Sequence, residues 1–290
     1  MGRKSLEIIG VPLNHGASRC GIEYGIENLL EVYPEYRERI HLIDVSLEKE
    51  DFTNKKLKFL NTISKACNKV AQKTEEAVKA GKLPIIMGGD HAIALGSIAG
   101  VSKDRKIGVL WIDAHGDFNT DATTDSGHIH GMPLAASLGY GDEKLTNCHY
   151  EGSKVKVEDV VLFGIRSLDK YEEELMNEAG VRCYKYSEIA ERGFEVCLAE
   201  ASEILSKNGH DIHISFDLDS VDPREVTGVS TPVKDGITKE EGIKIFEYMF
   251  EKHSISSVDI VEYNPLYEEK KETADYVNEL IGKIEDIGGQ

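Results

Sequence analysis

Three side chains that can bind a metal ion alternate directly after an apolar run. The run covers residues 107–112, and Asp113, His115 and Asp117 follow it in the segment WIDAHGDFNT. The run predicts a buried strand, and alternate residues of an extended chain point to the same side. Two carboxylates and an imidazole that converge at a strand end need a counter-charge, and a divalent cation is the simplest one. A polar loop that caps the next helix explains one of these acids but not the alternation.

Further predicted strands also end in histidine or acidic residues. The strands are 83–87, 212–216 and 258–261, and the residues that follow them are His91, Asp217, Asp219 and Glu262. The carboxyl ends of parallel strands meet at one edge of a sheet, where α/β proteins place their sites. We therefore expect these side chains to lie together with those that follow residues 107–112.

The ligand candidates comprise four carboxylates and two imidazoles. They are His91, Asp113, His115, Asp117, Asp217 and Asp219. One ion does not need four carboxylates, whereas two ions that share bridging carboxylates use them all. An oxygen-rich set with some histidine favours a manganese-like ion over structural zinc. Such a pair activates water for hydrolysis, and the sequence has no dinucleotide, P-loop, HExxH or GxSxG motif that would indicate other chemistry.

Strands alternate with helices along the rest of the chain. Apolar residues at three- and four-residue steps predict a helix over 54–80. Further helices are predicted at 171–179, 188–207 and 238–250, with Thr238 and Glu241 forming a capping box, and a last helix ends near 284. This order predicts about eight strands in a mainly parallel sheet that is covered on both faces, open or closed into a barrel. No linker or repeat divides the chain, so we predict a single domain over residues 1–290.

Composition narrows the possible partners and compartment. The formal net charge is -18, which disfavours nucleic acid and anionic membranes as partners. No apolar stretch reaches transmembrane length, and the amino-terminal residues lack the apolar core of a signal peptide. The five cysteines are widely separated and odd in number, which predicts a reducing compartment and hence the cytoplasm.

Six segments together carry a family resemblance. They are GGDH (88–91), DAHGDFNT (113–120), SGHIHGMP (126–133), SFDLDSVDP (215–223), GVSTPV (228–233) and EYNP (262–265). The chain resembles the arginase branch of the ureohydrolases, a superfamily that also holds agmatinases, formimidoylglutamases and guanidino-acid hydrolases. The resemblance implies a three-layer α/β/α fold of the arginase/deacetylase type, with a mainly parallel eight-stranded sheet.

The resemblance also implies two Mn²⁺ ions in each subunit. One ion would be held by His91, Asp113, Asp117 and Asp217, and the other by Asp113, His115, Asp217 and Asp219. Asp113 and Asp217 would bridge the ions. The implied reaction is attack of a bridging hydroxide on the guanidino group of L-arginine, which gives urea and ornithine.

Other residues take roles from the same resemblance. His130 matches the proton-shuttle histidine, and an imidazole that titrates near neutral pH can protonate the leaving amine. Glu262 would accept hydrogen bonds from the guanidinium, and Thr231 would support both. Asn119, Ser126 and Asp169 match positions that bind the α-carboxylate and α-amino groups. Glu172 would assist with the amine, with a solvated helix acid as the alternative.

Three positions depart from the arginase pattern and leave the substrate open. His128 replaces an asparagine that helps to bind the α-carboxylate, while Ser230 and Asp235 replace glycines. The alternatives to arginase are an agmatinase, another guanidino or formimino hydrolase, and a non-catalytic metal-binding homologue. For any of the enzymes the resemblance implies a small guanidino-type substrate and a homotrimer or homohexamer.

Overall fold

The computed structural model describes residues 4–268 and 270–288. Its eight strands form one sheet in which every pairing is parallel. The strands are β1 (Leu6–Gly10), β2 (Ile40–Leu42), β3 (Leu83–Met87), β4 (Ile107–Ile112), β5 (Val160–Ile165), β6 (Arg182–Lys185), β7 (Asp211–Asp217) and β8 (Ile255–Val261). Their order is β2-β1-β3-β8-β7-β4-β5-β6, so the sheet is open, with β2 and β6 at its edges.

Helices connect the strands and cover both faces of the sheet. Within the described part of the chain, the α-helices are α1 (Gly25–Val32), α2 (Leu60–Lys79), α3 (Ala94–Ser102), α4 (Pro133–Ser137), α5 (Glu143–Thr146), α6 (Lys170–Ala179), α7 (Tyr186–Arg192), α8 (Phe194–Ser206), α9 (Lys239–Lys252) and α10 (Glu272–Gly288). The predicted three-layer α/β/α fold with a parallel eight-stranded sheet is confirmed.

Strand β4 shows why the sheet lies between two helical layers. All six of its residues, IGVLWI, are buried. Leu110 and Ile112 pack on the face covered by α8, α9 and α10, whereas Val109 and Trp111 pack on the opposite face with α3 and α4. A strand that is buried on both faces reads as a continuous apolar run, which is why the sequence shows no alternation here.

Several predicted boundaries need correction. The helix predicted over 54–80 begins only at Leu60, because Phe59 adopts a left-handed backbone (φ 56°). The helix predicted over 188–207 is two helices, since Gly193 (φ 97°) interrupts it and supplies the conformation that L-residues avoid. The capping box of Thr238 and Glu241 is confirmed at the start of α9. In residues 4–268 and 270–288, no helix has the length and apolar character needed to cross a membrane.

Candidate active site

Four adjacent strands bring the predicted ligands to one edge of the sheet. In the order β3-β8-β7-β4, their carboxyl ends deliver His91, Glu262, the Asp217–Asp219 pair and the 113–117 segment. A cleft that is open to solvent lies above them. Its lining includes most of the predicted site residues: His115, Asp117, Asn119, Ser126, His128, His130, Asp169, Glu172, Asp217, Asp219, Thr231 and Glu262. His91 and Asp113 are buried at the same strand ends.

His91 is surrounded by carboxylates. Its Nδ1 atom lies 3.0 Å from Asp113 Oδ2, 3.1 Å from Asp117 Oδ2 and 3.1 Å from Asp217 Oδ2. The His91 side chain is only 1 % exposed, and Nδ1 is a buried atom without a well-formed hydrogen bond. Three acidic oxygens around one orphaned nitrogen form a donor set that fits a cation.

His115 forms a second group with shared membership. Its Nδ1 lies 3.1 Å from Asp219 Oδ2 and 3.5 Å from Asp113 Oδ1. Asp113 therefore faces His91 with one oxygen and His115 with the other. In the described part of the chain, the groups of possible metal ligands are His91–Asp113–Asp217 and Asp113–His115–Asp219. We name the two groups, together with Asp117, the floor of the cleft.

Local backbone geometry aims the floor carboxylates. Asp113 accepts hydrogen bonds from Trp111 Nε1 (3.1 Å) and from the backbone of His115 (2.7 Å), which fix its two oxygens. Asp217 is the N-cap of a 3-10 turn and accepts from the amide of Asp219 (2.7 Å). The extended geometry expected after β4 continues to His115, which forms an isolated parallel β-bridge with Ser167. Asp117, by contrast, has a left-handed backbone with a φ of 47°. This conformation is uncommon for a non-glycine residue and is maintained here by the surrounding structure.

The carboxylates of the floor favour positive charge on the groups next to them. Burial opposes protonation of His91 and His115, yet the adjacent carboxylates raise the pKa of both imidazoles well above the usual range. Burial and the charge of Asp113 raise the pKa of Asp117 to about 6, and burial with its acidic neighbours raises that of Asp217 well above its usual range. The donor chemistry fits a pair of divalent cations, whose binding would release protons from these groups.

Glu262 and His130 lie beside the floor as a pair. Glu262 Oε1 accepts from the backbone amide of His91 (2.9 Å) and lies 3.2 Å from His130 Nδ1. The other oxygen, Oε2, is buried without a partner, and Glu262 has a strained φ of 67°. Burial lowers the proton affinity of His130, but the contact with Glu262 prevails and raises its pKa to about 9. The contact with Glu262 therefore favours the protonated form of His130.

Thr231 contacts a different acid from the one expected. Its hydroxyl donates to Asp219 Oδ2 (3.0 Å), and since a hydroxyl has one proton it cannot also donate to Glu262. In this structure Thr231 therefore supports the floor rather than Glu262.

The outer part of the cleft, which we call the mouth, consists of Asn119, Thr124, Ser126, His128 and Asp169. Asn119 Nδ2 donates to Asp169 Oδ2 (3.1 Å), and Ser126 Oγ accepts from the amide of His128 (3.2 Å). Asp169 also begins α6 as its N-cap. The mouth thus presents an acid, hydroxyl groups and an imidazole to the cleft.

Glu172 is a buried structural acid with a face on the cleft. It is 4 % exposed, so the solvated alternative is wrong. Its oxygens accept from the amides of Phe118 (2.9 Å) and Asp169 (3.0 Å), and burial raises its pKa to about 7. Glu172 therefore holds the segment that carries Asp117 against the start of α6.

Lys58 is a residue of the cleft surroundings that the sequence did not indicate. Its Nζ lies 3.1 Å from His128 Nε2, across 70 residues of sequence. Burial, followed by the charges of Lys58 and His130, lowers the pKa of His128 to about 4. His128 is thus neutral, Nε2 accepts from Lys58, and Nδ1 carries the ring proton as a donor. Lysine in a polar segment carries no local signal of this contact.

The three departures from the arginase pattern occupy different places. His128 lines the cleft. Ser230 is buried outside the lining, and its hydroxyl accepts from Asn264 Nδ2 (2.8 Å). Asp235 is exposed with a φ of 66°, a backbone conformation that suits the glycine it replaces. Of the three departures, His128 is the one that lines the cleft, so it is the one that bears on the choice of substrate.

The parallel sheet and this donor set define a metal-binding hydrolase. Its sequence matches the model of the Arginase family over residues 4–284. It is 38 % identical to the arginase of Bacillus caldovelox (97 % of this chain and 98 % of that protein) and 39 % identical to that of Brevibacillus brevis (97 % of each). The crystal structure of arginase from Bacillus cereus superposes with a TM-score of 0.89 at 35 % identity over 99 % of both chains. The chain belongs to the arginase family.

Proposed function

We propose that this protein hydrolyses L-arginine to urea and ornithine with two Mn²⁺ ions. The observation that carries the proposal is the arrangement of charge along the cleft. Buried acids surround His91 at the floor, an imidazole–carboxylate pair lies beside them, and the mouth contains Asp169 together with a histidine that contacts a lysine. Arginine has a cationic guanidinium at one end and a zwitterionic amino acid at the other, so each part meets its complement. The similarity to arginases of other bacteria supports the same substrate.

The floor residues would hold the ions. His91, Asp113, Asp117 and Asp217 would bind one, and Asp113, His115, Asp217 and Asp219 the other. Carboxylate oxygens with one imidazole for each ion favour manganese over zinc. When bound, the ions supply a water nucleophile at near-neutral pH.

Glu262 and His130 would perform the remaining steps. The free oxygen of Glu262 accepts a hydrogen bond from the guanidinium and holds its carbon over the floor. Water adds to that carbon, the bond from carbon to the side-chain nitrogen breaks, and urea separates from the amine. His130 in its protonated form donates a proton to the departing nitrogen.

The mouth favours a substrate with a carboxylate. Asp169 attracts the α-ammonium, while Ser126 and the Nδ1–H of His128 offer hydrogen bonds to the carboxylate. Lys58 contributes positive charge behind His128. Agmatine lacks the carboxylate and leaves these donors unused, so an unpaired donor opposes its binding.

We also propose that the protein acts in the cytoplasm as a homotrimer or homohexamer. The five cysteines are all free, which suits a reducing compartment. The oligomer follows from the family resemblance, and size-exclusion chromatography with light scattering tests it: a pure monomer contradicts it.

Urea release from the Mn²⁺-loaded protein tests the proposal. L-arginine and agmatine are supplied separately at mildly alkaline pH, and bound manganese is measured in the same sample. We expect two ions per chain and at least tenfold higher kcat/KM for arginine. Preference for agmatine would move the proposal to the agmatinase alternative, and bound metal without turnover of any guanidino or formimino compound would leave the non-catalytic homologue.

A further inference from the structure

A buried polar network lies behind the His91 ring, on the side away from the cleft. Its members come from α3, β7 and β8, and each is fully buried: Ser97, His213, Ser215, Ser257 and Asp259. Polar groups that are taken from water between a sheet and a helix cost free energy unless they are hydrogen-bonded. The network therefore needs a reason beyond filling the core, and His91 is the functional residue that it touches.

Three donors converge on one oxygen of Asp259. Ser97 Oγ lies 2.7 Å from Oδ2, His213 Nε2 lies 3.1 Å from it, and Ser215 Oγ lies 3.2 Å from it. Oδ2 therefore acts only as an acceptor. The other oxygen, Oδ1, is buried without a partner, so a proton placed there would find no acceptor.

The direction of these bonds determines where His91 holds its proton. Ser215 has one hydroxyl proton and donates it to Asp259, so its oxygen can only accept from the next group. That group is His91 Nε2, at 2.9 Å. Nε2 must therefore carry a proton, which leaves the lone pair of the neutral ring on Nδ1, the atom that faces Asp113, Asp117 and Asp217.

We propose that Ser215 and Asp259 are positioning residues that fix the tautomer and orientation of His91 for metal binding. This inference rests on the proposed two-ion function. The ring is also held by stacking on Trp111, with centroids 4.0 Å apart and planes at 11°. Stacking fixes the plane of the ring but not its rotation or proton, whereas the Ser215 contact fixes both. Partners of this kind typically affect metal affinity or activity by about 10–100-fold.

The second imidazole has no matching support. The His115 side chain is 28 % exposed, and its polar contacts among the described residues are made by Nδ1 with Asp113 and Asp219 and by its backbone. The inference therefore predicts an asymmetric effect. Loss of Ser215 weakens the binding of the ion that His91 holds and leaves the binding of the ion that His115 holds nearly unchanged.

Manganese titration of the full-length protein, by calorimetry with EPR of free Mn²⁺, tests the inference. In Ser215→Ala, we expect one of the two ions to bind 10–100-fold more weakly and the other to change less than threefold. Ser97→Ala is the matched control, because it removes a donor to the same oxygen without touching His91, and it should change neither ion by more than threefold. Asp259→Asn keeps an acceptor but loses the charge, so its effect should be smaller than that of Ser215→Ala and fall on the same ion.

Thermal unfolding separates positioning from stability. If Ser215→Ala does not fold, Asp259→Asn and Ser97→Ala decide, since only the former should discriminate between the ions. Unchanged binding of both ions, equal loss of both, or an equal effect of Ser97→Ala would each overturn the inference. The proposed function is judged separately, by urea release and metal content of the wild-type protein, and its failure would appear there before any variant is compared.

Discussion

At the floor of the cleft, His91 Nδ1 has three carboxylate oxygens within 3.1 Å and no well-formed hydrogen bond, whereas the charged groups of the mouth have partners within the protein. Asp169 accepts from Asn119, and His128 accepts from Lys58. The floor is thus a set of donors that bound cations would complete. The charged groups of the mouth already have partners, so the mouth changes only the electrostatic potential that a substrate meets.

This difference gives the two regions separate roles: the floor serves the chemical reaction, and the mouth serves the selection of the substrate. A change at the floor should abolish metal binding and activity. A change at the mouth should alter the choice of substrate while leaving metal content and stability nearly unchanged. The following variants test this separation.

Replacement of the shared floor acid should have the largest effect. Asp217→Asn keeps the oxygen that caps the turn at Asp219 but removes the charge next to His91. We expect manganese binding to fall and kcat to drop more than about 100-fold, beyond the range for residues that only support ligands.

Asp211→Asn is the matched control at the opposite end of the same strand. Asp211 pairs with the partly exposed Arg105 at 3.2 Å, far from the floor. Its loss should leave activity within twofold. Full manganese binding and activity in Asp217→Asn would contradict the place of Asp217 among the floor ligands.

Loss of the imidazolium beside the floor should rank second. His130→Asn removes the proton donor, so we expect kcat to fall by about 10²–10⁴-fold with manganese content unchanged. The raised pKa of about 9 means that the wild-type acid is charged below that pH and lost above it. Bound cations repel this proton, so the wild-type rate should decline at or below pH 9, and the variant should lack this decline.

The same pKa shift predicts a stability effect. Because the folded pKa lies above the ordinary value of 6.5, the His130–Glu262 pair stabilises the fold fully below pH 6.5, and this is lost as pH rises towards 9. His149→Asn is the control for the loss of a histidine–carboxylate pair outside the active site. His149 has a carboxylate partner, Glu75, at 2.6 Å but lies outside the cleft lining. A loss of metal from His130→Asn would place His130 among the floor ligands instead.

The floor could be predicted from sequence because each strand places its acids within a few residues of an apolar run. Asp113 and His115 follow β4, Asp217 is the last residue of β7, and Asp219 lies two residues beyond it. The strand ends therefore determine where most of these side chains lie. The parallel sheet followed from the alternation of strands and helices. Those features are local, and the edge at which parallel strands end is common to all of them.

Contacts between distant segments could not be predicted in this way. Lys58 meets His128 across 70 residues, and nothing in the sequence around Lys58 distinguishes it from a surface lysine. The break at Gly193 was missed because apolar periodicity continues through it. The pKa of His130 likewise depends on Glu262, which the chain brings from 132 residues away.

The lysine at the mouth should have a moderate and selective effect. Lys58→Ala removes positive charge behind His128, and a partly exposed charge contact of this kind contributes up to about 1 kcal/mol. We expect KM for arginine to rise about two- to fivefold, kcat to change little, and agmatine kinetics to stay the same. Lys58→Arg should restore most of the affinity, and Lys55→Ala, an exposed lysine nearby that contacts Phe52, should have no effect. Equal changes for both substrates would place Lys58 in loop structure rather than selectivity.

The smallest effect is expected outside both regions, at Asp235. Its φ of 66° is costly for a side chain and easy for glycine, while its exposed position leaves few contacts to lose. Asp235→Gly should raise the free energy of unfolding by at most about 1 kcal/mol in urea denaturation, and Asp235→Val, which is β-branched, should lower it by about 1–3 kcal/mol. Arginine KM should stay within twofold for the glycine variant. A larger change in KM would extend the mouth to the loop that follows Thr231, and selectivity would then involve Asp235 in addition to His128.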